Sequence, residues 1–294
     1  MVEEKPIAID IFRLPWHVAS MGDHMTRQNW SREETLLALG LYVAKPPRGR
    51  KNWDKTDDAV MTIASQIGRT PDAIILKIGN LKASDPNRPG YGLSNGSRLD
   101  REIMAGYLHN SDDVISDCSQ ALERYGFCFT DECSLEYDSE EAQGAADVDA
   151  PEEVMGAERM ATVSQRVNQG YFRGVLMDNF EGRCCMSGIA VPALLIASHI
   201  EPWVDSSPQE KTSAKNGLLL NALYDRAFDR GIMTVLPNYT IRVSSRLPRT
   251  DENERWLFSL DGEKIALPDD QSHETWPDKD LLEYHNDVVF ESAA

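Results

Sequence analysis

Long apolar runs are missing from this chain of 294 residues. Nothing approaches the roughly eighteen apolar residues of a membrane span, and the first thirty lack a basic start leading into an apolar stretch. The expectation is a cytoplasmic protein with no membrane partner. Cysteine is scarce too: there are five, an odd number, with Cys184 and Cys185 adjacent. That pattern does not make a disulfide framework and suits a reducing compartment. Positive charge is in deficit, with 30 Lys and Arg against 48 Asp and Glu for a net −18. Taken whole, that balance argues against a nucleic-acid partner, because binding phosphate needs a local positive field.

The distribution of charge reverses the argument. Residues 26–102 and 159–249 each carry a net +4, whereas 103–158 carries −14 and 250–294 carries −10. Two mildly basic blocks are thus separated and followed by acidic ones, which reads as segmentation. The chain is long enough for two ordinary domains. The stretch "DSEEAQGAADVDAPEEVMGAE" is acidic, poor in aromatics and rich in small residues, the composition of an exposed linker. Domains are therefore expected at 1–137 and 159–294, joined by an acidic linker at 138–158.

The first block reads as helical. In "WSREETLLALGLY", Ser31 as N-cap and Glu34 three residues on form a capping box ahead of Leu36, Leu37, Leu41 and Tyr42, predicting a helix over 31–43. Asp57 and Asp58 open a second helix through Val60, Ile63, Ala64 and Ile67, ended by Gly68. Thr70 caps a third, with Pro71 in its first turn, through Ile74, Ile75, Ile78 and Leu81. The Gly68-Arg69-Thr70 turn, Trp30, Glu34 and "IGRTPDAIILKIGN" resemble Myb/SANT-type or related helix-turn-helix modules. That resemblance implies Arg69, Lys77 and Lys82 on or beside a recognition helix, with Arg48, Arg50 and Lys51 available to phosphate. "DPNRPGYGLSNGS" is a turn-rich exit, and 111–125 reads as a further amphipathic helix stopped at Gly126.

Past Cys184 the pattern becomes extended. "VPALLIASHI" is an apolar run whose strand ends at His199 and is broken by Pro202; "NGLLLN" is a second short strand, and "ALYDRAFDRG" a helix closed by Gly231. Asp225 and Asp229, four apart, share one helix face. Two carboxylates so placed repel unless a cation lies between them, and a hard divalent ion takes a few carboxylates with water and phosphate oxygens. Pairing with Arg226 and Arg230 on an ordinary surface helix is the plainer alternative.

The spacing of His199, Asn216, Asp225 and Asp229 as one set carries a resemblance. Ala197-Ser198-His199-Ile200-Glu201-Pro202-Trp203, Asn216-Gly217-Leu218-Leu219-Leu220 and Asp225-Arg226-Ala227-Phe228-Asp229-Arg230-Gly231 resemble the HNH endonucleases, in particular their restriction-endonuclease-like branch. Flanking "QRVNQGYFRGVL", "CCMSGI", a "GEKIALP" strand and "LLEYHNDVVF" extend it over about 163–290. The resemblance implies a C-terminal ββα-metal nuclease domain, so that the chain is expected to be α+β, with the N-terminal helical, helix-turn-helix-like domain joined to it by the acidic linker. It implies double-stranded DNA as substrate, His199 as general base, Asn216 as the central asparagine that braces the loop, and one divalent metal, Mg2+ or Mn2+, on Asp225 and Asp229. Ser198 stands where many such enzymes carry a first-strand metal ligand. No second cysteine pair follows Cys184 and Cys185, so a structural zinc is not supported. Arg173, Lys215, Arg226 and Arg230 are the cations placed near the DNA backbone, with Arg183 and Lys211 beside them. Cutting both strands with one metal site per chain favours a homodimer. A restriction or anti-phage role follows by family analogy. The rivals are a modification-dependent or partner-activated nonspecific nuclease, and an inactive DNA-binding protein.

Overall fold

The computed structural model describes residues 29–47, 50–90, 92, 96–129, 135–137 and 152–290, with no side-chain description at 135–137 or 152–159. Arg48, positions 91 and 93–95 of the turn-rich exit, and the acidic stretch 138–151 lie outside the described residues. The architecture is α+β, helices first and small antiparallel strand pairs after them.

Helices α1 (Arg32–Val43) and α3 (Pro71–Ala83) start where their caps place them, and α2 (Asp58–Gln66) follows Asp57, which makes no side-chain cap bond. The Ser31 hydroxyl accepts from Glu34 N at 3.1 Å, and the Glu34 carboxylate accepts from Ser31 N at 2.7 Å. Thr70 accepts from Ala73 N, and Gly68 takes a φ of 68°, which a residue with a side chain adopts only under strain. Every residue from Thr35 to Leu41 is buried, so α1 is a central helix covered on all sides. Its cover includes α3, α5 (Ser111–Glu123) and α4 (Arg98–His109).

Helix α4 is absent from the sequence expectations. Its capping box pairs Ser97 with Asp100, a shorter residue than the usual Glu or Gln, and the glycines and prolines just before it mask the start. The pair β1 (Phe127–Phe129) and β2 (Leu135–Tyr137) is likewise unanticipated, since three-residue strands are too short to show a period.

Helix α6 (Glu152–Asn179) runs 28 residues, about 42 Å at the usual rise. It is the spine of the fold, meeting α1 and α5 as well as β3 (Leu195–His199) and β4 (Gly217–Asn221). Residues Ser31–Ala294 consequently form one compact unit by their contacts. Residues 152–158 of the expected linker belong to this shared helix. The junction is polar and largely buried. The Asp85 carboxylate accepts from Tyr42 Oη at 2.6 Å and Tyr171 Oη at 2.8 Å, and Arg88 pairs with Asp178 at 3.1 Å.

Strands β3 and β4 pair antiparallel, with His199 opposite Gly217 and Ser198 opposite Leu218. Helix α7 (Ala222–Asp229) follows at once, its N-cap Asn221 accepting from Leu223 N and Tyr224 N. Strands β5 (Met233–Val235) and β6 (Ile241–Val243) form a second pair, followed by α8 (Asp251–Trp256), α9 (Lys279–Tyr284) and a π-helical turn, His285–Phe290. The "GEKIALP" segment, expected as a strand, is one only at a single bridge, Thr240 to Lys264. Its amides serve two neighbours, Ile265 N donating to Tyr239 O and Ala266 N to Cys185 O, so no continuous ladder forms. Cys184 and Cys185 are buried in the core with Phe172, Leu176, Leu219 and Phe228.

Candidate active site

The apolar residues of β3 and β4 anchor the hairpin, and its polar end is left to form a cavity of about 540 Å³. Ser198, His199, Trp203, Asp225, Arg226, Asp229, Arg230 and His285 are among its lining residues. The hairpin and α7 thus bring together residues more than thirty positions apart. Asn216 stands behind this surface, fully buried. Its Oδ1 accepts from Glu201 N at 2.8 Å and its Nδ2 donates to Ser206 Oγ at 3.1 Å. These bonds tie together both ends of the loop that joins the strands.

His199 lies flat on Phe172, ring centroids 3.9 Å apart, and meets the edge of Trp203 at 5.4 Å. The close stack needs Gly217 on the paired strand: a Cβ there would come within 2.7 Å of Phe172 and Leu176. Burial pushes the His199 pKa below its usual value, opposed in part by a hydrogen bond to a backbone carbonyl. That bond joins Nε2 to Lys211 O at 3.2 Å. With a carbonyl as partner, Nε2 must carry the hydrogen, which leaves the Nδ1 lone pair to accept a proton.

Burial raises the carboxyl pKa of Asp225, and the Asp229 charge raises it further. Burial raises Asp229 as well, while Arg226 and Arg230 pull it back. The Ser198 hydroxyl is buried near enough to Asp225 to favour its ionised form, yet makes no hydrogen bond of normal geometry. A half-buried acid and an exposed one that disfavour joint ionisation, beside an unpartnered hydroxyl, fit a hard cation. Among the described residues no cluster of three or more His, Cys, Asp and Glu side chains is gathered for a metal.

The expected DNA-facing cations divide. Arg226 and Arg230 are exposed and line the cavity, and Lys215 is exposed on the loop. Arg173 donates to the carbonyls of Leu195 and Pro192, securing the start of β3. The helical-module cations are turned inward. Arg69 pairs with Glu34 at 2.8 Å, Lys77 is 2% exposed and pairs with Asp100 at 2.6 Å, and Lys82 meets Asp178 at 3.4 Å. Arg50 also pairs with Asp57. Each of these cations is thus held in an intramolecular ion pair, Lys77 on the α3 face that α4 covers. Periodicity marks a residue as polar but does not say that a buried acid awaits it.

Two features of the site had little sequence signal. Phe172 lies on a different element, and only its place in an apolar helix stripe hinted at burial. His285 lines the cavity from the C-terminal turn, stacked on Phe228 at 3.6 Å, with Nδ1 at 2.8 Å from Thr234 Oγ1 and Nε2 at 3.2 Å from Phe228 O. Burial lowers its pKa to about 4. An unfolded chain binds that proton more readily, so the stabilisation is complete above about pH 6.5 and is lost as pH falls from there towards 4. Over that window His285 is expected to contribute roughly 3 kcal/mol of pH dependence. Urea unfolding of wild type and His285→Gln at several pH values checks this; equal slopes for the two proteins would refute it.

An antiparallel strand pair followed directly by a helix, with a histidine and two acids meeting in one cavity, defines the ββα class of site. Residues 184–236 match the HNH endonuclease family, and that segment holds His199, Asn216, Asp225 and Asp229. The match bears out the HNH resemblance for this segment and supports a nuclease. A comparison with curated proteins found no match. Among the described residues no helix is long and apolar enough to cross a membrane.

Proposed function

We propose that the chain is a divalent-metal-dependent endonuclease acting on double-stranded DNA, with His199 as its general base. The observation that carries this reading is the meeting of His199, Asp225 and Asp229 in one cavity through the β3, β4 and α7 unit. In this mechanism His199 Nδ1 takes a proton from water as the water oxygen bonds to phosphorus and the P–O3′ bond breaks. Its low pKa keeps the ring neutral, and so able to accept, at neutral pH. Asp225 and Asp229 would hold one Mg2+ or Mn2+, which when bound neutralises the scissile phosphate and the leaving oxygen. Arg226, Arg230 and Lys215 contact neighbouring phosphates and provide the local positive field that the net charge conceals. Asn216 holds the loop and touches no reacting atom. A restriction or anti-phage setting is the biological reading taken from the family analogy.

Plasmid cleavage with Mg2+, with Mn2+ and with chelator tests the proposal. Asp225→Asn and Asp229→Asn are each expected to lower cleavage at about 1 mM Mg2+ by at least roughly tenfold, with partial recovery at higher metal. Cleavage indifferent to chelator, or unchanged metal dependence in both variants, would remove the metal from the mechanism.

A further inference from the structure

We infer that Asn87, in the turn after α3, is a positioning residue that sets the orientation and tautomer of His199 from the helical half of the molecule. This rests on the reading of His199 as base. The Asn87 side chain is 9% exposed and grips the loop between β3 and β4 with both ends of its amide. Its Nδ2 donates to Thr212 O at 3.2 Å, and its Oδ1 accepts from Ala214 N at 2.9 Å. The two bonds run in opposite senses across Ser213, as in a strand pairing, and so fix the peptides on both sides of it. Thr212 and Ala214 are fully buried, so no water replaces the amide when it is removed.

The next carbonyl upstream is Lys211 O, the partner of His199 Nε2. Its direction is set by the peptide that Asn87 restrains one residue later. Asn87 is itself held: its N–H donates to Asp85 Oδ1 at 2.9 Å, its carbonyl accepts from Asn179 Nδ2 at 3.0 Å, and its Nδ2 also reaches Tyr171 Oη at 3.0 Å. Helix α6 therefore meets both sides of the arrangement. Tyr171 touches the amide that positions the carbonyl, and the adjacent Phe172 stacks on the imidazole. The helical half reaches the catalytic histidine through one side chain and one carbonyl.

The test uses the full chain with 15N-labelled histidine, the His199 signal being identified by its loss in His199→Ala. Asn87→Ala is expected to lower kcat for plasmid cleavage roughly tenfold with little change in KM, and to shift the His199 imidazole spectrum from one Nε2–H form to a tautomer mixture. Asn87→Asp keeps the acceptor for Ala214 N and loses the donor to Thr212 O. It should fall between wild type and Asn87→Ala, and it carries the test if the alanine variant does not fold. Asn179→Ala removes a bond to the same turn without touching Thr212 or Ala214, and should leave tautomer and kcat unchanged. A wild-type tautomer in Asn87→Ala or Asn87→Asp, whatever its stability, overturns the inference. If His199→Ala cuts as well as wild type, the base assignment fails instead, a result separate from the tautomer measurement.

Discussion

His199→Ala is expected to lower DNA cleavage by about 10²- to 10⁴-fold, the usual contribution of a general base, while binding to the same DNA persists. No other described side chain offers a near-neutral proton acceptor in the cavity with a free ring nitrogen, because both nitrogens of His285 are engaged. The alanine also leaves space against Phe172 and Trp203, so thermal unfolding should accompany the assay. His199→Gln keeps more of the volume and should be as inactive. Activity should fall on the acid side as pH passes through the lowered His199 pKa, placing that limb below about pH 6.5. Equal nicking by wild type and His199→Ala on plasmid with Mg2+ or Mn2+ would sink the assignment.

Asp100→Ala is expected to be the most destabilising single change in the helical half. Lys77 and Asp100 are 2% and 0% exposed and 2.6 Å apart, and Asp100 also closes the α4 capping box with Ser97. Removing the carboxylate breaks a buried ion pair, which costs about 3–5 kcal/mol, and the lost cap adds about 1 kcal/mol. For a unit of this size the melting temperature should drop on the order of 10 °C or more. Lys77→Met with Asp100→Asn removes both charges and keeps a cap acceptor, so much of the loss should return. A melting temperature for Asp100→Ala within about 2 °C of wild type would show that the pair does not hold α3 to α4.

The catalytic half was the more legible because its signals are local. An apolar strand ending at His199, a strand after Asn216 and a helix carrying acids four apart all lie within about thirty-five residues. Apolar runs and the helix period mark these elements, and the HNH resemblance joins their residues into one set. The first three helices were readable for the same reason: Ser31, Thr70, Pro71 and Gly68 act within one turn of themselves. Helix α4 was not readable, because Asp100 stands in the box where Glu or Gln is the usual sign.

What the sequence determined by itself is the order of α1 to α3 and of β3, β4 and α7, and the chemistry of the residues at their ends. The tertiary structure alone decided which polar groups meet. A histidine's tautomer depends on a carbonyl twelve residues on, and that carbonyl's direction on an amide more than a hundred residues earlier. The fates of Arg69, Lys77 and Lys82 were settled in the same way. Whether a cation faces solvent or a buried acid depends on which helix covers it, and chain spacing within its own helix does not record that. Joining the halves through α6 is likewise tertiary, since one helix meets α1 and α5 as well as β3 and β4.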